Sequence, residues 1–153
     1  MPQLDIFISD ALWQQHEPQD GWQKFFDAIL ATTLGDLKED VCFEELSLSL
    51  VHDETSQKLN AQFRAKNAAT NVLAFPSIVP MLCLGDIVLA FDTIYKEAIE
   101  QQKPFLDHVS HLFVHGLLHL IGYDHIEEHE RVEMEAKEIQ ILKKLAIGNP
   151  YVS

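Results

Sequence analysis

Between residues 111 and 125 the chain reads His111-Leu-Phe-Val-His115-Gly-Leu-Leu-His119-Leu-Ile-Gly122-Tyr-Asp-His125. Residues four apart on a helix share a face, so His115 and His119 can aim two imidazoles at one ion, as a tetrahedral zinc site requires. His111 lies on that face too. At about 1.5 Å of rise per residue, however, it stands about 12 Å from His119 along the axis, too far for both to bind one metal at about 2 Å. The third ligand has to come from chain that turns back, and Gly122 supplies a turn able to return His125. Three histidines leave a fourth position for water, which is what separates a catalytic zinc site, one ion per chain, from a structural one.

The three histidines and the glycine keep the spacing H-E-x-x-H-x-x-G-x-x-H of the metzincin peptidases, but Gly116 stands where those enzymes carry their general-base glutamate. Zinc lowers the pKa of its water to about 7 without help, so hydrolysis survives the change while the glutamate route to peptide cleavage does not. His111 and His129 stand one helical turn from proposed ligands and are expected to support the site rather than ligate.

The 153 residues suit one domain spanning the whole chain. Hydrophobic residues at 47% and charged residues at 23% exclude a disordered or membrane-embedded chain. The apolar run from Leu117 to Ile121 is interrupted by His119 and falls well short of the roughly 20 residues of a membrane span. No basic segment precedes an apolar one at the start, and the two cysteines, Cys42 and Cys83, have neither disulfide-framework nor zinc-ligand spacing. A reducing cytoplasm is the expected compartment, with both cysteines as small buried fillers.

Eleven Lys and Arg against 24 Asp and Glu give a net charge of −13, which repels nucleic acid on average. The charge is unevenly spread. From Thr55 to Gly85 there is no Asp or Glu, and the stretch carries Lys58, Arg64 and Lys66, so an anion-facing surface is expected there. Residues 124–138 have the opposite bias and read as a solvated acidic face.

Alternation predicts strands near Leu4–Ile8, Leu46–Leu50, Asn71–Phe75 and Leu82–Phe91. Helical spacing predicts a stripe of Trp22, Phe25, Phe26, Ile29 and Leu30, a helix capped by Asp53 and running toward Arg64, one opened by Asp92, one from Pro104 to Gly122, and a last from Glu128 to Leu145 with Val132, Ile139, Leu142 and Leu145 inward. The result is an α/β or α+β single domain in which a small, roughly four-stranded mixed sheet packs with four to five helices.

His115-Gly-Leu-Leu-His119-Leu-Ile-Gly-Tyr-Asp-His125 resembles the signature of the YbeY family of bacterial endoribonucleases. Leu59-Asn60 through Arg64, Thr70-Asn-Val-Leu-Ala-Phe-Pro76, Leu84-Gly-Asp-Ile87 and Met134-Glu135 agree in order, so the resemblance covers nearly the whole chain; only Ala74 departs, where the family more often has Ser. It implies a zinc-hydrolase-like fold that cuts single-stranded RNA, matures the 3′ end of 16S ribosomal RNA and acts with the small ribosomal subunit in ribosome quality control, without a membrane. It also implies His115, His119 and His125 as zinc ligands and a functional arginine that falls on Arg64. The residues agree: Arg64 is a planar, permanently charged fork suited to phosphate, and it lies in the acid-free window. Asp86 and Asp124 are candidates to orient a ligand imidazole. Two further classes share the histidines: a zinc metallopeptidase, which needs a base, and a non-catalytic zinc-binding ribosome-associated factor, in which a residue such as His129 closes the shell.

Overall fold

The computed structural model describes residues 1–37, 41–64, 71–79, 82–123 and 126–152, with the side chains of Phe63 and Arg64 outside that set. Its elements run β1 (Gln3–Ile8), α1 (Ala11–Gln15), α2 (Gly21–Asp36), β2 (Glu45–Val51), α3 (Asp53–Arg64), β3 (Val72–Pro76), β4 (Cys83–Ala90), α4 (Phe91–Glu100), α5 (Phe105–Ile121) and α6 (Glu128–Lys144). The strands form one sheet in the order β1-β2-β4-β3. The first two pairings are parallel and β3 runs antiparallel on β4, the mixed four-stranded sheet of an α+β fold. Among the described residues there are six helices rather than four or five, the addition being α1. That helix is five residues long, capped by Asp10 accepting from Leu12 N, and its one wholly buried side chain, Trp13, is too little periodicity to read from sequence.

Register explains the alternation. Ile6, Leu48, Ile87 and Ala74 are cross-strand partners in a row across all four strands, so one sheet face is apolar from edge to edge. That face meets α5, α2 and the aromatic cluster of Trp13, Trp22, Phe26 and Phe113, which form one core. Trp13 and Trp22 satisfy their indole N–H groups on the carbonyls of Val51 and Trp13, both at 2.8 Å. On the opposite face Val51, Leu73 and Val88 form a second, smaller cluster under Leu59 of α3. Thus α3 and α5 sandwich the sheet. Asp53, expected to cap α3, instead lies in its first turn and serves α4: its carboxylate accepts from Thr93 N at 3.0 Å and Thr93 Oγ1 at 2.7 Å, tying the starts of the two helices together, while His52 Nδ1 accepts from Thr55 N at 3.4 Å.

Two local expectations are corrected. Cys42 is exposed and Cys83 half-buried, so neither is a buried filler. On α6 the buried positions are Met134, Glu138, Ile141 and Leu142; of the residues expected inward, Leu142 is buried and Leu145 packs half-buried on the core, Ile139 is half-buried and Val132 is exposed. Among the described residues no helix is long and apolar enough to cross a membrane.

Candidate metal centre

Helix α5 is buried on most of its circumference, with Val109, Leu112, Phe113, Val114, Gly116, Leu117 and Leu118 all in the interior. The face that remains carries the half-buried His111, His115 and His119, one helical turn apart. Gly116 lets the helix approach the sheet, since a Cβ there would lie 3.3 Å from two carbons of Ile87. The position of the peptidase glutamate is therefore the contact of α5 with β4, and a side chain there would enter the core. Gly122 ends the helix at φ 127°, a conformation L side chains rarely adopt. Its N–H and that of Tyr123 both return to Leu118 O, at 3.1 and 2.9 Å, which closes the turn as a Schellman motif does. The expected turn after His119 is thus present, and the residues it leads to, Asp124 and His125, lie outside the described set.

Sequence reasoning missed the group that organises the histidines. Glu138 of α6 is completely buried and accepts from His111 Nε2 at 2.7 Å, His115 Nδ1 at 3.2 Å and the hydroxyl of Tyr151 at 2.7 Å. Burial alone would raise its carboxyl, but the hydrogen bonds from His111 and His115 outweigh that and bring it down to about 2. An ionised carboxylate can only accept, so both imidazoles must donate to it. The His115 nitrogen facing Glu138 is thus Nδ1, which leaves Nε2 as the one it can offer a metal. That is the arrangement of a metal-ligating histidine whose other nitrogen is held by a carboxylate. Asp86, a candidate to orient a ligand imidazole, is exposed while its neighbour Ile87 faces α5; the carboxylate in contact with His115 is Glu138. The signal was the phase of Glu138, four residues from both Met134 and Leu142 on the buried stripe.

Among the described residues, the Asp, Glu, His or Cys atoms close enough to share a cation are those of Glu127, His129 and Glu130, within 4.8 Å of one another. Glu127 and His129 are exposed and pair at 3.5 Å across the start of α6. This donor set lacks a buried carboxylate fixing its imidazole. Arg64 is the last residue of α3, whose Leu59 packs on the sheet face opposite α5, and its own side chain lies outside the described set. A second buried histidine, His108, is tied through Nε2 to Glu97 at 3.0 Å, and Asn71 of the segment entering β3 donates to the same carboxylate at 3.0 Å. Burial pushes the His108 imidazole below its ordinary value despite that partner, as for a structural histidine joining α4, α5 and the sheet edge.

A family profile described as endoribonuclease YbeY matches residues 8–146. An endoribonuclease YbeY from Colwellia psychrerythraea is 44% identical over 135 residues, covering 86% of this chain and 85% of that protein. One from Sinorhizobium fredii is 38% identical over 162 residues, covering 99% and 94%. The solution structure of TM1509 from Thermotoga maritima shares the fold, with a TM-score of 0.61 at 22% identity over 94% of this chain and 89% of that one.

Proposed function

The chain belongs to the endoribonuclease YbeY family, and from that premise we propose that it is a single-domain, zinc-dependent endoribonuclease that cuts single-stranded RNA at a centre held by His115, His119 and His125. Its substrate is the 3′ region of 16S ribosomal RNA, met in the cytoplasm on the small ribosomal subunit, where the same activity serves ribosome quality control. The observation that carries the centre is the His115–Glu138 hydrogen bond, which fixes the ring and leaves Nε2 as the ligating nitrogen. Zinc bound there supplies a Lewis acid that polarises a phosphoryl oxygen and acidifies water. The chain's own part is to hold the first imidazole through Glu138 and to bring His125 back through the Gly122 turn; the resemblance adds Arg64, at the end of α3, as the guanidinium that meets phosphate charge growing in the transition state.

The burial of Gly116 against Ile87 weighs against the peptidase alternative, because that route has no base on α5. The test is metal content by mass spectrometry of purified protein. His115→Ala, His119→Ala and His125→Ala are each expected to bind far less than one zinc per chain, while His129→Ala keeps the full complement. Full zinc in the His125 variant, or loss in the His129 variant, would move the centre to the acidic cluster at the start of α6.

A further inference from the structure

After α6 the chain does not run off into solvent. Ala146 adopts φ 61°, a left-handed turn that lets Ile147 N return to Leu142 O at 2.9 Å and reverses the tail toward α5. Lys103 Nζ then holds Pro150 O at 2.8 Å, and Asn149 Oδ1 accepts from Tyr151 N at 2.8 Å. With these ties the tail walls a groove of about 670 Å³ whose other side includes Lys103, Asp107, His108 and His111. Tyr151 lines it. Its ring meets that of His111 edge-on at a centroid distance of 5.4 Å and its hydroxyl passes inward to Glu138 Oε1.

We propose that Tyr151, carried by the C-terminal tail, is a positioning residue for the metal centre: with His111 it clamps one oxygen of Glu138 so that the other is fixed for His115. This deepens the proposed function and rests on His115 being a ligand. The side chain is 44% exposed, yet its hydroxyl reaches a carboxylate with no exposure at all. A surface residue is thus one of three donors to a buried charge. Burial, and next the carboxylate itself, push the phenol above its ordinary range, so it stays protonated and donates. The distances rank the contacts: Oε1 is held at 2.7 Å by both Tyr151 and His111, whereas Oε2 meets His115 at 3.2 Å. The longer bond depends on the carboxylate not rotating, and the two shorter ones prevent rotation. Groups that hold a ligand directly, as Glu138 holds His115, alter metal affinity by about 10- to 100-fold when removed, and Tyr151 is one contact further out.

The test is zinc affinity of the full chain, measured by competition with a chromophoric chelator, together with the visible spectrum of the cobalt-loaded protein. Tyr151→Phe keeps the ring against His111 and deletes only the hydroxyl. It is expected to weaken zinc binding about five- to tenfold and to shift or broaden the cobalt bands, while Lys103→Met, which frees the tail backbone but spares the hydroxyl, changes affinity less than twofold. In the metal-free protein, the nitrogen-15-resolved Nδ1–H signal of His115 is expected to weaken in the Phe variant. Unchanged affinity and spectrum in Tyr151→Phe would overturn the proposal, as would a fall in melting temperature with no change in affinity, since that is the mark of mere packing. If His115→Ala keeps full zinc, the ligand assignment itself fails, and the two failures are told apart.

Discussion

At the scale of single residues, Gly85 and Arg64 carry opposite kinds of constraint. Gly85 sits in β4 at φ 154°, and a Cβ there would lie 2.4 Å from the carbonyl oxygen of Phe75 and 3.1 Å from Leu120 of α5. Strand β3 can pair at Pro76, opposite Gly85, only because nothing projects between them. Backbone on one side and helix on the other leave no room to relax, so Gly85→Ala should cost about 2–4 kcal/mol, from strain and overpacking together. Urea unfolding measures it, and a loss below about 1 kcal/mol would mean that β3 shifts freely. Arg64 is constrained by chemistry instead. If it acts on transition-state charge, Arg64→Ala lowers kcat and kcat/KM together by about 100-fold or more while zinc content stays at wild type; Lys restores part, since it keeps the charge but not the paired hydrogen bonds. A raised KM with kcat spared, in single-turnover cleavage of a short single-stranded RNA, would make it an RNA-holding residue only.

At the scale of elements, what sequence conveys and what it hides follow from how far apart the partners lie. The helix carrying His111, His115 and His119 and its glycine stop are local patterns, and the fold realises both. The strands were legible because one face of each is apolar. Glu138 was hidden by its surroundings: α6 has acids throughout, and beyond its phase with Met134 and Leu142 what distinguishes this one is contact with histidines 23 and 27 positions away. Asp36, at the end of α2, is hidden in the same manner. Buried at 3% exposure, it binds Lys137 at 3.2 Å, accepts from Gln140 at 3.0 Å and pairs with the half-exposed Lys144, clamping α2 to α6 from 101 or more residues away. Burial pushes its carboxyl up, but the two lysines outweigh burial and hold it below the usual 3.8. A folded value below the unfolded one gives stability that is present above the unfolded value and is lost as pH falls through the folded one. Asp36→Asn should therefore be less stable than wild type by about 1–2 kcal/mol at pH 7, the figure trimmed for the exposure of Lys144, and the gap should narrow toward pH 3. Urea titrations of both proteins at pH 7 and pH 3 decide it; a gap that stays constant removes the ion pair from the account.

At the scale of the whole molecule, the question is how a chain with net charge −13 meets an anionic polymer. The 31 acid-free residues from Thr55 to Gly85 are the one long stretch that does not repel it, and the described part of that surface is less basic than its sequence suggests. Lys58 pairs with Glu54, one helical turn earlier and just outside the window, at 3.3 Å, and both are well exposed. The loop between β3 and β4 shows apolar side chains instead, with Ile78 99%, Leu82 55% and Val79 50% exposed. Few cations are therefore available to neutralise phosphates, and the acidic remainder of the surface adds repulsion that salt screens. Each phosphate contacted on a single strand contributes about −0.7 to the slope of log affinity against log salt, so two or three contacts predict a slope of about −1.4 to −2.1. Screening of the acidic surface makes it shallower still. The measurement is equilibrium binding of a labelled single-stranded RNA between about 50 and 200 mM salt by the Arg64→Ala variant and wild type in parallel, the variant losing about one contact's worth of slope. A wild-type slope steeper than about −4 would show that many more phosphates are held than this surface can supply.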